Sequence, residues 1–356
     1  MDRRIYFMAL ASAASTLACA DDDQGMGAVT NASSTGTETS ASSTGIETNA
    51  SSTGTATNAS NGNDDGPGTD GASDPGNSSV SGAGDGFHGK VSLYVAAGSG
   101  VGGLEPGAKG ENTVDGWTVD YDKLIVMVGA VAAESSDTGE SLHIGVSAGH
   151  IVDLRQASLP QILASGDFLA GLYKNVGFSM PGASEASRLL KPATDEDFDI
   201  MVKGGYSIYM EGRLTNPAGQ SCNPEDPNKC TPAPMLTFRW GLAAATKYSG
   251  CSGLTVELDQ TTRVTVTIPG DHWFRSKFTP NDLPRRAQWI ADADLDRNGE
   301  TSLEELKMIK ASLLFTPELD YDLAGAPIPI DTAHDFLEAQ VRTLGLNTAT
   351  GCQTAL

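Results

Sequence analysis

Short apolar segments separated by Gly, Asn, Asp and Pro fill residues 90–268, and this pattern constrains the fold more than any other feature. Residues 117–121 alternate apolar and polar side chains, as a strand with one buried face does, and residues 124–131 continue as a buried apolar run. Further strands are predicted at residues 91–97, 141–154, 173–180, 198–202, 206–214, 235–242, 254–258 and 263–268. Only residues 159–164 suggest a short helix. We therefore predict a mainly β fold, with an antiparallel β-sandwich-like domain over residues 89–280.

The last part of the chain has helical character instead. Residues 284–293, 303–315 and 332–344 carry apolar side chains at helical spacing, and Pro284 suits a first helical turn. Residues 281–356 are therefore predicted to form a small α-helical subdomain after the β domain.

The N-terminal part has the composition of export and linker segments. Residues 1–20 resemble a signal peptide, in which Arg3 and Arg4 precede a short apolar run. Residues 21–88 are rich in Ser, Thr, Gly and Asn and contain a nine-residue repeat without large apolar side chains. Such a segment cannot bury a core, so a disordered stalk is predicted there.

The end of the signal peptide can be interpreted in two ways. The sequence Thr-Leu-Ala-Cys at residues 16–19 resembles a bacterial lipobox, in which case Cys19 is lipidated and anchors the protein to a membrane. Alternatively, residues 18–20 form an A-x-A site that is cleaved before Asp21. A lone cysteine followed by a polar tether favours the lipoprotein. The expected location is the cell envelope (outer membrane, periplasm or cell surface) for a lipoprotein, or the medium for a secreted protein.

The charge of the chain limits its partners. It contains 23 Lys and Arg residues against 45 Asp and Glu residues, which gives a net charge of −22. Polyanions repel a protein of this charge, so neither nucleic acid nor an anionic membrane surface is expected as a partner. A protein or glycan ligand is not identified by the sequence.

Four cysteines follow the signal region: Cys222, Cys230, Cys251 and Cys352. An even number in an exported chain indicates two disulfides, for which three pairings exist. Cys222 and Cys230 bracket a turn-rich loop, so a local bridge is the simplest choice, and Cys251 would then pair with Cys352. The spacings do not match those of C-x₂-C zinc sites.

The most specific motif is D-x-D-x-N-G-x-x-S-x-x-E at residues 294–305. Ca²⁺ takes about six to eight oxygen ligands, and a loop of about twelve residues can supply them at fixed positions. Gly299 occupies the position where the backbone needs a dihedral angle that a Cβ opposes. The predicted ligands are side-chain oxygens of Asp294, Asp296, Asn298 and Glu305, the backbone carbonyl of Glu300, and Ser302, either directly or through a water.

This loop and its flanking helices resemble the EF-hand family, which implies Ca²⁺ as the cofactor. One position departs from the pattern, because Thr301 stands where such loops usually carry Ile, Leu or Val to pair with a second loop. Residues 320–331 echo the motif but place Ala324 at a ligand position. We expect this second loop to bind no metal, and residues 328–330 to pair with residues 300–302.

A broader resemblance covers most of the chain from about residue 90. It is carried by residues 115–119 (DGWTV), 122–126 (DKLIV), 271–274 (DHWF) and 340–345 (QVRTLG). These segments resemble a group of uncharacterised bacterial lipoproteins. The resemblance implies export and calcium binding, and it brings no known activity with it.

Two motifs associated with enzymes are interpreted as loops. Residues 98–103 fit G-x-G-x-x-G, but Pro106 and Gly107 follow where a dinucleotide site needs a helix. Residues 145–149 fit G-x-S-x-G, but β-like sequence from His150 onward replaces the helix that a nucleophile elbow requires.

Three functions are compatible with these features. The favoured hypothesis is a structural or binding module in which Ca²⁺ acts as a staple, with no catalytic residue assigned. A second hypothesis is a surface hydrolase or a transition-metal protein that uses His150, Asp271 or His272. A third hypothesis is a carbohydrate-binding protein with Trp117, Trp240 and Trp273 as stacking platforms.

Overall fold

A computed structural model describes residues 87–107, 112–155, 160–278, 284–347 and 352–355. The predicted signal peptide, the candidate lipidation site Cys19 and almost all of the predicted stalk lie outside these residues. The fold is mainly β, with 45% strand and 17% helix, several antiparallel sheets and helices near the C-terminus. This result confirms the fold class that the strand pattern predicts.

The elements follow one another along the described chain with few helices between the strands. The strands are β1 (His88–Ala97), β2 (Thr118–Val128), β3 (Val131–Ser135), β4 (Ser141–Ile144), β5 (His150–Asp153), β6 (Gln161–Leu169), β7 (Gly171–Met180), β8 (Arg188–Leu189), β9 (Ile208–Thr215), β10 (Gln220–Asn223), β11 (Asp226–Pro232), β12 (Met235–Leu242), β13 (Thr246–Cys251), β14 (Leu254–Val256), β15 (Thr261–Ile268), β16 (Glu300–Thr301) and β17 (Gln353–Ala355). The α-helices are α1 (Asp195–Gly204), α2 (Gln288–Asp292), α3 (Leu303–Met308), α4 (Ala311–Leu314) and α5 (Ala333–Arg342). Single 3-10 turns occur at His272–Phe274, Pro317–Leu319 and Leu344–Asn347.

The strands form three larger sheets and one hairpin. The two six-stranded sheets have the orders β16-β12-β9-β2-β5-β8 and β17-β13-β7-β3-β4, the latter with β14 also paired to β7, and the three-stranded sheet has the order β15-β1-β6. Strands β10 and β11 pair as a separate hairpin. Most neighbours are antiparallel, but β1 with β15, β5 with β8 and β12 with β16 are parallel.

One hydrophobic core joins these sheets to the C-terminal helices. Trp240 on β12 stacks on Trp289 of α2, with ring centroids 5.8 Å apart. Trp289 in turn meets the ring of Phe336 on α5 edge to face at 5.9 Å. The helical segment therefore packs directly on the edge of the six-stranded sheet that carries β12.

The strand predicted at residues 198–202 is wrong, because these residues lie in helix α1. Thr194 accepts a hydrogen bond from the backbone N–H of Asp197, and the Asp197 carboxylate accepts one from the N–H of Thr194, which forms a capping box. Asp197 also forms a 2.6 Å ion pair with Lys123. The helix-start signal at Thr194 therefore outweighs the strand-like apolar run that follows it, and the segment folds as a helix.

Three helix predictions also need correction. The helix predicted at residues 284–293 is only α2, because Arg285 before it forms β-bridges with Thr113 and Arg275. Residues 161–164 of the predicted helix 159–164 belong to strand β6, which pairs with β1 through an irregular register. The predicted helix 303–315 is two short helices, because the backbone of Ile309 and Lys310 is extended between α3 and α4. Lys310 pairs instead with Thr332 as a β-bridge, so contacts with the start of α5 break the helix.

Both disulfides join the cysteines that the simplest pairing predicts. Cys222 and Cys230 face each other in the β10–β11 hairpin. The bond between Cys251 and Cys352 lies next to β17, which adds to the edge of the sheet at β13. Among the described residues, none of the helices has the length and apolar character that a membrane crossing requires.

Candidate metal centre

Helices α2 and α3 hold the acidic loop 294–305 between them. The start of α2 is fixed by a distant residue, because the Asp115 carboxylate accepts backbone hydrogen bonds from Ala287 and Gln288 at 2.7 and 2.8 Å. Helix α3 begins with its own capping box, in which Ser302 and Glu305 exchange hydrogen bonds. Each end of the loop is therefore set by a defined helix terminus.

Three predicted ligands come together in this loop. Carboxylate oxygens of Asp294, Asp296 and Glu305 all lie within 4.8 Å of one another. Oxygens that bind one Ca²⁺ at about 2.3–2.6 Å must lie within roughly 5 Å of each other, so this spacing fits a shared ion. Among the described residues, this is the only group of three or more His, Cys, Asp or Glu side chains so arranged. An oxygen-only donor set of this kind suits a hard divalent cation.

Backbone amides shape the loop around these carboxylates. Asp294 accepts hydrogen bonds from the N–H of Asn298 at 3.1 Å and from that of Gly299 at 3.0 Å. Glu305 reaches back across the loop, where its Oε1 accepts a hydrogen bond from the N–H of Leu295 at 2.8 Å. Gly299 has φ of +84°, the left-handed conformation that the motif predicts at this position.

The remaining predicted ligands lie in the same loop and help to fold it. The side-chain oxygen of Asn298 accepts a hydrogen bond from the N–H of Glu300 at 2.7 Å, and its amide nitrogen donates to Asp296 at 3.0 Å. The Ser302 hydroxyl donates to Oε2 of Glu305 at 2.8 Å. Asn298, Glu300 and Ser302 are thus positioned by contacts with the loop itself.

The carboxylates form a concentrated negative charge. Asp294 and Glu305 are buried, with 5% and 6% exposure, whereas Asp296 is exposed. Burial raises the pKa of Asp294, and the nearby charges of Glu305 and Asp296 raise it further. Within the described residues, no Lys or Arg forms an ion pair with these three carboxylates. A bound cation would relieve this repulsion.

Contacts of Thr301 hold this single loop in place. Its side-chain hydroxyl donates to the carbonyl of Ile290 in α2 at 2.7 Å, and its own carbonyl accepts from the indole of Trp240 at 2.8 Å. Strand β16 pairs with β12, where Glu300 faces Thr237 and Thr301 faces Phe238. The predicted pairing of residues 300–302 with residues 328–330 is therefore wrong, because the edge of the β sheet takes the place of a second loop.

The second loop, at residues 320–331, has a different environment. Asp320 lies 3.5 Å from Lys277 in an ion pair, and Asp322 donates its backbone N–H to the carbonyl of Ser276 at 3.0 Å. Its acidic side chains are not part of a three-ligand group among the described residues. This loop therefore contacts residues 276 and 277 in the segment after β15.

The transition-metal hypothesis lacks a suitable environment at His272. This side chain is 2% exposed, and its Nε2 lies 2.8 Å from the hydroxyl of Thr343. Burial lowers its pKa well below 6.5, and the charges of Arg275 and Arg285 lower it further. Both arginines also form ion pairs with the fully buried Asp271. Two neighbouring guanidinium groups disfavour a metal cation here.

The carbohydrate-binding and hydrolase hypotheses also conflict with side-chain positions. The indoles of Trp117, Trp240 and Trp273 are fully buried in the core, so they are not available as stacking platforms for a sugar. Ser147 lies in the turn between β4 and β5, and strand β5 begins at His150, so the helix of a nucleophile elbow does not follow. Residues 98–103 form the loop after β1, and residues 104–107 directly after it are not helical.

The residues that position the loop are not evident from its own sequence. Asp115, Thr237 and Trp240 hold its supporting helix and strand, yet they lie far from it along the chain. Asp115 falls within a segment that the lipoprotein resemblance singles out, which is the only signal that points to it.

Comparison with known proteins brings no relative. No protein family, no curated protein and no solved structure matches this chain. Its function must therefore be inferred from the residues themselves.

Proposed function

We propose that residues 294–305 bind one Ca²⁺, which acts as a structural staple between the β sheet and the C-terminal helices. The main support is the cluster of carboxylate oxygens of Asp294, Asp296 and Glu305, which lie within 4.8 Å of one another. Asn298, the Glu300 carbonyl and Ser302 complete an all-oxygen ligand set. The protein is a binding or structural module rather than an enzyme in this proposal.

The position of the loop supports a structural role. Its β16 segment adds to the edge strand β12, while Thr301 reaches helix α2 and Glu305 lies in helix α3. An ion held by the loop therefore stabilises sheet and helices together. The loop pairs with a β strand and not with a second loop. A calcium sensor works by opening a pair of helices, and this arrangement does not provide for such a movement.

Calcium sites outside cells bind with Kd of about 10⁻⁴ to 10⁻³ M. At a calcium concentration of about one hundred times Kd, binding to the folded state adds about 2.7 kcal/mol to its stability. For a domain of this size, that corresponds to a rise in Tm of roughly 5–10 °C.

The test compares thermal unfolding in calcium and in EDTA. We expect Tm to rise with calcium in the natural protein and to stay constant in Glu305→Gln, because the substitution removes one of three clustered charges. Glu304→Gln is the matched control, since Glu304 has a largely exposed side chain in the same helix. Equal Tm in calcium and EDTA for the natural protein would refute the proposal. Isothermal titration calorimetry gives the number of ions, which we expect to be one.

The proposed setting is an exported bacterial envelope lipoprotein tethered through Cys19. The support is the signal-like residues 1–20, the lipobox-like residues 16–19 and the two disulfides, which form in oxidising compartments. Expression of the full chain in a bacterial host with radiolabelled palmitate tests the anchor. We expect labelling that disappears in Cys19→Ser, and an unlabelled natural chain would favour cleavage before Asp21.

A further inference from the structure

A cavity of about 290 Å³ lies beside the metal centre. Its walls come from Asp115, the β10–β11 hairpin, helix α2, helix α4 and the segment that leads to Tyr321. Most of its lining is apolar, with Pro224, Leu313, Leu314 and Leu319 among the contributors. Small-molecule pockets typically measure about 300–1,000 Å³, so this cavity suits a compact ligand.

Several polar groups in its wall have unmet hydrogen-bonding capacity. Oδ1 of Asp115, Nε of Arg286 and Nε1 of Trp289 are buried and have no hydrogen-bond partner among the described residues. Trp289 is 2% exposed. Roughly 90% or more of buried polar groups in proteins are hydrogen-bonded, so three such atoms on residues that line one cavity are an unusual concentration.

Two carboxylates flank the same residue of helix α2. Gln288 donates its backbone N–H to Oδ2 of Asp115 at 2.8 Å and its side-chain amide to Oδ1 of Asp292 at 2.9 Å. Asp292 also accepts the backbone N–H of Cys222 at 2.8 Å. Each carboxylate is therefore fixed through one oxygen, and the Oδ1 atom of Asp115 is left for another donor.

The charge of the wall selects the kind of ligand. Asp115 and Asp292 carry two negative charges against the one positive charge of Arg286, so a cationic group is favoured over an anion. Burial raises the pKa of Asp115, which indicates that its charge is incompletely compensated within the protein. A compact ammonium group can donate up to three hydrogen bonds, which matches carboxylate acceptors in a mostly apolar cavity.

We propose that this cavity binds a small primary ammonium compound with an apolar body. The ammonium group binds Asp115 and Asp292, and the body packs against Leu313, Leu314 and the ring of Trp289. Two sources share this chemistry, namely a simple alkylamine and a hydrophobic amino acid. An amino acid would add a carboxylate, for which Arg286 and the indole N–H of Trp289 are suitable donors.

Isothermal titration calorimetry with the full chain in saturating calcium tests this assignment. The probes are n-hexylamine, its neutral analogue 1-hexanol, and L-leucine. We expect saturable binding of hexylamine that is at least about tenfold tighter than that of hexanol, since a hydrogen bond to a charged group is stronger than one between neutral groups. Tighter binding of leucine than of hexylamine identifies an amino acid as the ligand class, and the reverse order identifies an amine.

Variants separate the cavity from other acidic sites. Asp115→Asn keeps an acceptor oxygen for the start of α2, and we expect it to weaken hexylamine binding at least about tenfold. Leu319→Trp fills the cavity from a half-exposed position and should also abolish binding. Asp137→Asn removes an exposed charge elsewhere and should leave binding unchanged. Hexylamine that does not saturate, binds no better than hexanol, or binds Asp115→Asn as well as the natural chain would overturn the proposal.

Discussion

The indole N–H of Trp240 donates a hydrogen bond to the backbone carbonyl of Thr301 over 2.8 Å. Trp240 lies on strand β12, and Thr301 lies in the acidic loop, so this bond joins two parts of the chain that are 61 residues apart. Both residues are fully buried. The contact fixes the loop on the sheet edge, and it leads to the first prediction.

Trp240→Phe should weaken the attachment of the acidic loop to the sheet while keeping an aromatic ring in the core. The change removes the hydrogen bond to Thr301 and leaves a buried carbonyl without its donor, which costs about 1–3 kcal/mol in the free energy of unfolding. We also expect weaker calcium binding, because the loop loses part of its support. Urea unfolding and calcium titration measure the two effects.

Trp273→Phe is the control for this change. It removes a similar indole hydrogen bond, to the hydroxyl of Tyr121 at 2.7 Å, but within the core away from the loop. It should lower stability and leave calcium affinity unchanged. If both variants changed calcium affinity equally, Trp240 would have no specific role in supporting the loop.

Gly299 offers a test of backbone conformation alone. Its φ of +84° is unfavourable for residues with a Cβ, yet a Cβ built there meets nothing within 4 Å. Gly299→Ala should therefore cost about 1–2 kcal/mol, mainly from backbone strain. Gly299→Asn should cost less, because Asn tolerates the left-handed region better. Equal unfolding midpoints for the two variants would contradict this explanation.

The two disulfides should contribute unequally to stability. Cys251 and Cys352 are separated by 101 residues, whereas Cys222 and Cys230 are separated by 8. Loop-closure entropy predicts a stabilisation of about 4.7 kcal/mol for the long loop and about 2.6 kcal/mol for the short one. Paired Cys→Ser replacements, compared by urea unfolding, measure both values. A larger loss for the Cys222–Cys230 pair would show that native contacts outweigh chain entropy.

The buried His272 should make stability depend on pH. Its pKa is well below 6.5 in the folded state because of burial and the nearby Arg275 and Arg285, so it is neutral there. The unfolded chain binds the proton first as the pH falls, and the folded state therefore loses stability below about pH 6.5. Above about pH 6.5, His272 is neutral in both the folded and the unfolded state, so no stability is lost through its protonation.

His272→Gln should remove this part of the pH dependence. The loss in the natural protein approaches about 1.4 kcal/mol for each pH unit below 6.5. Unfolding in EDTA at pH values between about 7 and 5 isolates the effect from metal binding. His150, whose pKa burial also lowers, retains its own contribution in the variant. Identical slopes for the two proteins would exclude His272 as a source.

Local sequence patterns predicted much of the fold and the candidate ligands. Alternating segments such as residues 117–121 identify strands, because the period of side-chain direction in a strand is a local property. A similar pattern is misleading at residues 198–202, where the capping box of Thr194 and Asp197 starts a helix. An apolar run shorter than two helical turns fits either structure until its ends are considered.

The sequence by itself determined the acidic loop of this protein, because its ligand spacing is contained within residues 294–305. Only the tertiary structure decided what the loop pairs with. Thr301 faces Phe238 on β12, and the helix before the loop starts on the carboxylate of Asp115, 172 residues away. The partner of an edge strand depends on which sheet edge is within reach after the whole sheet has formed, and no local pattern contains that information. The same holds for the cavity beside the loop, whose wall combines Asp115 with the β10–β11 hairpin, helix α2, helix α4 and the segment that leads to Tyr321.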